Sequence, residues 1–184
     1  VKKRSEGLSV FLVDLGEAIG NGMTVRPIRA MINHASTEVF FDNLEVPVEN
    51  RVGDEGQGFR YLLDGLNAER MLISAEAIGD ARWFIERATA YACERRVFDR
   101  LIGQNQGIQF PIALAYAQTE AADLMRFRAA DLFDAEEACG PEANMAKLLC
   151  SQASWAAANA TIDTYGGYGF ATEYDVERKF RECR

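Results

Sequence analysis

Three groups of residues in this 184-residue chain could do chemistry by their types and spacing. The first is Glu69 with Arg70. On a helix, the neighbours of Glu69 three and four positions away are Gly65, Leu66, Leu72 and Ile73, and none of these can pair with a carboxylate. A carboxylate among them is expected to be partly desolvated and therefore a stronger base. The plainer alternative is a glutamate at the edge of an apolar stripe whose partner lies on another element. Glu76, beside Leu72, Ile73 and Gly79, meets the same criterion. Arg70 points about 100° round the helix from Glu69, so the two are not an intrahelical pair. It either holds a carbonyl or phosphate near the base or stands in solvent.

The second group is Arg95, Phe98 and Gln106, placed where one helix should end and the next begin near Asn105. Helix N-termini attract phosphates, and arginine adds a bidentate fork. A polar interhelical loop is the alternative. The third group is Gly166-Gly167-Tyr168-Gly169, which ends an Ala-rich segment and precedes Glu173-Tyr-Asp-Val-Glu-Arg178. Glycine leaves backbone that a ligand can approach closely, and it equally makes a plain helix C-cap. His34, the single histidine, stands alone in a turn-rich segment and is assigned a structural role.

The elements that must carry these residues change character once along the chain. Residues 1–56 have a β pattern. Alternating and apolar runs predict strands over 8–13, 24–29 and 37–42, a turn at Asp42-Asn43, and an extended Leu44–Pro47 with its proline at an edge or strand end. Gly53-Asp-Glu-Gly-Gln-Gly58 marks the boundary. From there Phe59, Leu62, Leu63, Leu66, Ile73, Ala77 and Phe84 recur at helical spacing, predicting a helix from Gln57 to Cys93. A second helix starts near Asn105, with Pro111 expected in its first turn, where a missing N–H costs nothing. Its expected core stripe is Phe110, Leu114, Ala117, Ala121, Leu124, Arg128 and Leu132. Gly140-Pro141 opens a third helix ending at Gly166-Gly167, and a fourth begins around Arg178. The expected fold is mainly α. An antiparallel helical bundle, residues 57–184 and truncated at its end, follows the last strands of a β domain, residues 1–56.

Composition narrows the class of protein. Net charge is −8, from 20 basic and 28 acidic residues, which argues against a general nucleic-acid binder. It leaves room for an anionic ligand held by a few local arginines. At 48% hydrophobic and 26% charged, with no membrane-length apolar run and no signal peptide, the chain resembles a soluble globular protein. Cys93, Cys139, Cys150 and Cys183 show no metal-ligand spacing. They are expected to be buried small apolar residues of a reduced intracellular protein, in the cytoplasm or mitochondrial matrix alike. The chain starts at Val1 without Met and stops at Arg184 within a charged helix-like segment, so it is expected to be a piece of a longer one.

Order and spacing add what no single motif does. Leu44-Glu-Val-Pro47 with Val52-Gly53 and Gly56-Gln-Gly58-Phe59, then Gln57 to Arg70, then Arg95, Phe98 and Gln106, then Gly166-Gly-Tyr-Gly169 with Glu173–Arg178, together resemble the acyl-CoA dehydrogenase family over essentially the whole chain. The resemblance implies FAD as cofactor and α,β-dehydrogenation of an acyl-CoA thioester, a glutamate removing the α-proton and the flavin accepting hydride from the β-carbon. It implies a homotetramer passing electrons to an electron-transfer flavoprotein, with no nucleic acid and no membrane span. In most members the base follows the glycine segment in a motif like Tyr-Glu-Gly-Thr, which would lie beyond Arg184. In a minority it comes from the first helix of the C-terminal domain, and Glu69 matches that position. Arg70 and Asn67 are the implied substrate contacts. Arg95 matches the arginine that reaches a neighbouring subunit's flavin pyrophosphate, Phe98 and Gln106 match residues packed on that flavin, and Gly166 and Gly167 match backbone close to it.

Two positions depart from the family pattern. Asp99 replaces the glycine that usually follows the phenylalanine, and Asp163 replaces a glutamine three residues before Gly166. A carboxylate repels a pyrophosphate unless a cation intervenes, so no flavin contact is carried over to Asp163. The 184 residues alone are expected to be inactive and to bind little flavin. An acyl-CoA oxidase and a non-catalytic helical assembly module derived from the family are the alternatives.

Overall fold

In the computed structural model, residues 7–32 and 35–183 are described, and His34 lies outside them. The contacts divide the chain into two compact units, residues 1–66 and 67–184.

In the first unit, β1 (Val10–Phe11) pairs antiparallel with β4 (Arg51–Val52), and β2 (Met23–Pro27) pairs antiparallel with β3 (Thr37–Phe41). A four-residue helix α1 (Leu15–Ala18) lies between β1 and β2. The predicted strand over 8–13 shrinks to two residues, and Leu44–Pro47 forms no strand, for neither finds a partner strand among the described residues. The Asp42-Asn43 turn is as expected: Asn43 is left-handed (φ 51°) and its amide donates to Asp42 Oδ1 at 3.0 Å. Helix α2 (Gly58–Glu94) starts where the pattern changes period. Its first turn is tied to the strand segment by the Gly58 N–H, which donates to Leu8 O at 2.8 Å. A Cβ on Gly58 would sit 2.8 Å from the Ser9 carbonyl carbon, so this approach requires glycine.

In the second unit, the rest of α2 packs with α3 (Gln106–Asp134), α4 (Gly140–Tyr165) and α5 (Asp175–Glu182). A two-stranded hairpin, β5 (Arg96–Val97) and β6 (Arg100–Leu101), joins α2 to α3. One core layer holds Ala81 and Phe84 of α2 with Ala115 of α3 and Ala157 and Ala158 of α4. The other holds Ile78 with Ala122, Cys150 and Ala153. Numbers that rise along α2 fall along α3 and rise along α4, so successive helices are antiparallel, as expected. The Thr161 hydroxyl ties α4 to α2, lying 2.9 Å from Phe84 O and 2.8 Å from Ala157 O. Buried Asp123 is compensated by Arg126 Nε at 2.6 Å and Arg82 Nη2 at 2.8 Å.

The structure corrects the expected core. Of the α3 stripe, Phe110, Leu114, Ala117, Ala121, Leu124 and Arg128 are exposed and only Leu132 is buried. The face turned inward carries Ala115, Thr119, Ala122, Asp123 and Ala129. On α2, Phe84 is buried but Phe59, Leu62, Leu63 and Ile73 are exposed. Small side chains let the helices approach closely, and the large ones are left on faces that nothing in this chain covers. Pro111 sits in the second turn of α3 rather than the first, so the α-helical bond from residue 111 to Gly107 O is missing. Cys139 and Cys150 are buried as expected, whereas Cys93 is exposed. Among the described residues, no helix is long and apolar enough to cross a membrane.

Candidate functional site

Where α2 ends, α4 turns at its glycines and β5 begins, there is a cleft of about 580 Å³. Its walls include Arg95 from the end of α2, Val97 and Ile102 from the hairpin region, and Tyr165, Gly166, Gly167 and Tyr168 from the α4 terminus. Three residues singled out from sequence as cofactor contacts, Arg95, Gly166 and Gly167, thus meet from segments about seventy residues apart. Gly166 caps α4 in the left-handed half of the map (φ 59°), and its N–H bonds back to Asp163 O and Ile162 O. A Cβ on Gly166 or Gly167 would meet nothing within 4 Å. These glycines are not there to relieve crowding inside the chain. They leave bare backbone facing open space.

Arg95 is fixed at its backbone, its N–H bonding to Tyr91 O and its carbonyl accepting from Ile102 N–H, both at 2.9 Å. Its guanidinium lies over the Tyr168 ring, with Cζ 5.3 Å from the centroid. Among the described residues, no carboxylate forms an ion pair with it. Behind Tyr168 the rings continue. Tyr168 meets Tyr174 at 5.6 Å, Tyr174 meets Tyr165 at 5.4 Å and Tyr91 at 6.3 Å, and Tyr91 stacks on Tyr165 at 4.0 Å. Burial pushes the Tyr91 and Tyr165 hydroxyls up from their ordinary 10.0, against the opposing pull of Arg95 on Tyr91 and of Arg87 on Tyr165. This cluster was missed in the sequence, although the signal was there: four of the six tyrosines fall where α2 and α4 end.

Phe98 and Gln106 stand outside the walls of this cleft. Phe98 is at the tip of the β5–β6 hairpin, 93% exposed, and Gln106 is the exposed first residue of α3. The hairpin tip explains Asp99. Phe98 and Asp99 both have positive φ (52° and 63°), the two-residue turn that twists with its strands. Glycine is the easiest residue there, and aspartate is among the few others that tolerate the left-handed region. Asp99 is therefore compatible with the turn that the more usual glycine would make. Asp163 is exposed and also outside the cleft walls, so its carboxylate does not line the space in front of Arg95.

The residues proposed for substrate lie elsewhere, near the start of the second unit. Arg70 Nη1 donates to Asn67 Oδ1 at 3.1 Å, and Ser74 Oγ donates to Arg70 O at 2.6 Å. Glu69 is exposed, with exposed Leu72 and Ile73 on the same side of α2. The desolvation expected for Glu69 is not supplied by the described residues of this chain, because its apolar neighbours are themselves uncovered.

A helical bundle with an unpaired arginine and bare glycine backbone facing one cleft is the form of a cofactor-binding helical domain. The comparisons then specify which. Residues 56–184 match the family described as acyl-CoA dehydrogenase, C-terminal domain, and the chain belongs to the acyl-CoA dehydrogenase family, whose members are FAD-dependent flavoproteins. It is 39% identical over 181 residues to an acyl-CoA dehydrogenase of Bacillus subtilis, covering 97% of this chain and 47% of that protein. It is 34% identical over 185 residues to a caffeyl-CoA reductase-Etf complex subunit of Acetobacterium woodii, covering 100% of this chain and 48% of that one. Among solved structures, glutaryl-coenzyme A dehydrogenase in complex with glutaryl-CoA superposes with a TM-score of 0.88 at 34% identity, over 97% of this chain and 46% of the other. The chain spans about half the length of the relatives it matches.

Proposed function

We propose that the protein containing this chain dehydrogenates an acyl-CoA thioester at its α and β carbons, and that these residues supply part of the flavin site and the catalytic base. The meeting of Arg95, Gly166 and Gly167 in one cleft carries this reading. An unpaired guanidinium offers a bidentate fork to an anion such as the FAD pyrophosphate, and two glycines without obstruction let that anion reach backbone. Bound FAD supplies the acceptor for the β-hydride. Glu69 takes the α-proton at its carboxylate. Arg70, held by Asn67, orients a substrate carbonyl or phosphate beside it.

The position of Glu69 relative to Arg95 supports an assembly. They lie 26 residues apart along α2, about 39 Å at a helical rise of roughly 1.5 Å per residue. That is farther than one flavin reaches from its ring to its pyrophosphate. If Glu69 serves one flavin, Arg95 of the same chain serves another, which favours a homo-oligomer, a tetramer in our reading. A relative that is a subunit of an Etf complex supports an electron-transfer flavoprotein as the electron acceptor. The 184 residues by themselves, about half of such a protein, are expected to be inactive.

The test is Arg95→Gln in the full-length protein, with FAD affinity measured by quenching of flavin fluorescence. Losing a charge-assisted hydrogen bond costs about 1.5–3 kcal/mol, so Kd should rise about ten- to a hundredfold. Unchanged affinity would remove Arg95 from the flavin site.

A further inference from the structure

We infer that Tyr168 is a positioning residue for Arg95: its ring holds the guanidinium at the mouth of the cleft with its N–H donors free for an anion. The inference rests on reading Arg95 as the anion clamp. Arginine is a long side chain with many rotamers, and fixing it on binding costs entropy. A carboxylate could fix it beforehand but would occupy the fork and cancel its charge. An aromatic face fixes it through the ring quadrupole and takes neither.

Arg95 has the second arrangement. Its Cζ lies 5.3 Å from the Tyr168 centroid and, among the described residues, no carboxylate pairs with it. The contrast lies in the same bundle: Arg126 also lies over an aromatic ring, that of Phe127 at 3.9 Å, but its Nε is spent on Asp123 at 2.6 Å. Arg126 is a structural arginine and Arg95 is an available one. Tyr168 is itself held. It sits between Gly167 and buried Gly169, where a Cβ would come 3.0 Å from Ile162 O, and its ring rests on Tyr174. Tyr174 precedes α5, which is anchored to α2 by Lys179 Nζ on Asp80 Oδ1 at 2.6 Å. Arg95 and the glycine turn are therefore linked mechanically through one exposed ring.

The test uses full-length protein and FAD affinity, beside thermal midpoints. Tyr168 is 42% exposed, so Tyr168→Leu and Tyr168→Phe should both fold like the parent. Tyr168→Leu should raise the Kd for FAD about three- to fivefold, the scale of an exposed cation–π contact. Tyr168→Phe should keep the parental Kd, because the ring and not the hydroxyl does the positioning. The double variant Arg95→Gln with Tyr168→Leu should bind no more weakly than Arg95→Gln alone. Parental affinity in Tyr168→Leu, equal loss in Tyr168→Phe, or additive losses in the double variant would each overturn the inference while leaving Arg95 as the clamp. No effect of Arg95→Gln would overturn the clamp, and this inference with it.

Discussion

At the scale of single residues, the types were legible and their surroundings were not. Glu69, Asn67 and Arg70 stand together on α2 as the spacing implied, and Asn67 accepts from Arg70. What one chain does not provide is the apolar cover that makes a glutamate a strong base, because Leu72 and Ile73 are as open as Glu69. In the full-length protein that cover has to come from substrate, from the rest of the chain or from another copy. The reading predicts that Glu69→Gln in the full-length protein keeps acyl-CoA binding within a few fold, since the amide matches the carboxylate in shape. It should abolish reduction of bound flavin by substrate, a loss of at least about 10²-fold if general-base catalysis is removed. Stopped-flow bleaching of the flavin band reads this directly. Reduction at the parental rate would place the base elsewhere, such as in the segment expected beyond Arg184.

At the scale of elements, boundaries were legible wherever punctuation was chemical. Gly58, Gly140-Pro141 and Gly166 begin or end helices where their conformational freedom is needed. Asp99 looked like the loss of a glycine because sequence does not show φ, and the hairpin turn restores its meaning. The docking of α5 could not be foreseen, because Lys179 and Asp80 are a hundred residues apart in sequence. That contact has a pH signature. Burial alone would lower the lysine's pKa, but hydrogen bonding and attraction from Asp80, with Glu182 adding to them, raise it above the ordinary 10.5. A raised folded-state value means the contribution is complete below 10.5 and is lost as pH climbs through the folded value. Tyr91 and Tyr165, raised from 10.0 mainly by burial, act in the same direction. The thermal midpoint of the full-length protein should therefore fall as pH rises above about 10.5, and Lys179→Gln should show a shallower fall from a lower starting point. An equally steep fall in Lys179→Gln would mean that the Lys179–Asp80 contact contributes nothing to it.

At the scale of the whole molecule, the helical period was right and the side was wrong. Phe110, Leu114 and Leu124 recur at helical spacing, yet they face away from α4, and alanines take the inner positions. A sequence marks a face as apolar without saying what will cover it. Here the chain's own helix contacts use small residues, and the large residues remain on open surface, which a protein that stayed a monomer would rarely leave so exposed. Another copy is the cover our reading favours, because Glu69 and Arg95, about 39 Å apart on α2, would then serve different flavins. Leu124, 72% exposed on α3, probes that surface with little risk to the fold. Placing a charge there should cost little in an isolated chain and several kcal/mol in an apolar interface, where it would be buried unpaired. Leu124→Glu in the full-length protein should lower the assembled mass measured by light scattering, while the helical circular dichroism is kept. If Arg95 reaches across to another copy's flavin, FAD affinity should fall along with the mass. A variant of parental mass would show that this face is not the interface. A smaller assembly that still held FAD at parental affinity would mean that Arg95 serves the flavin of its own subunit, and the role of Glu69 as base would fall with that result.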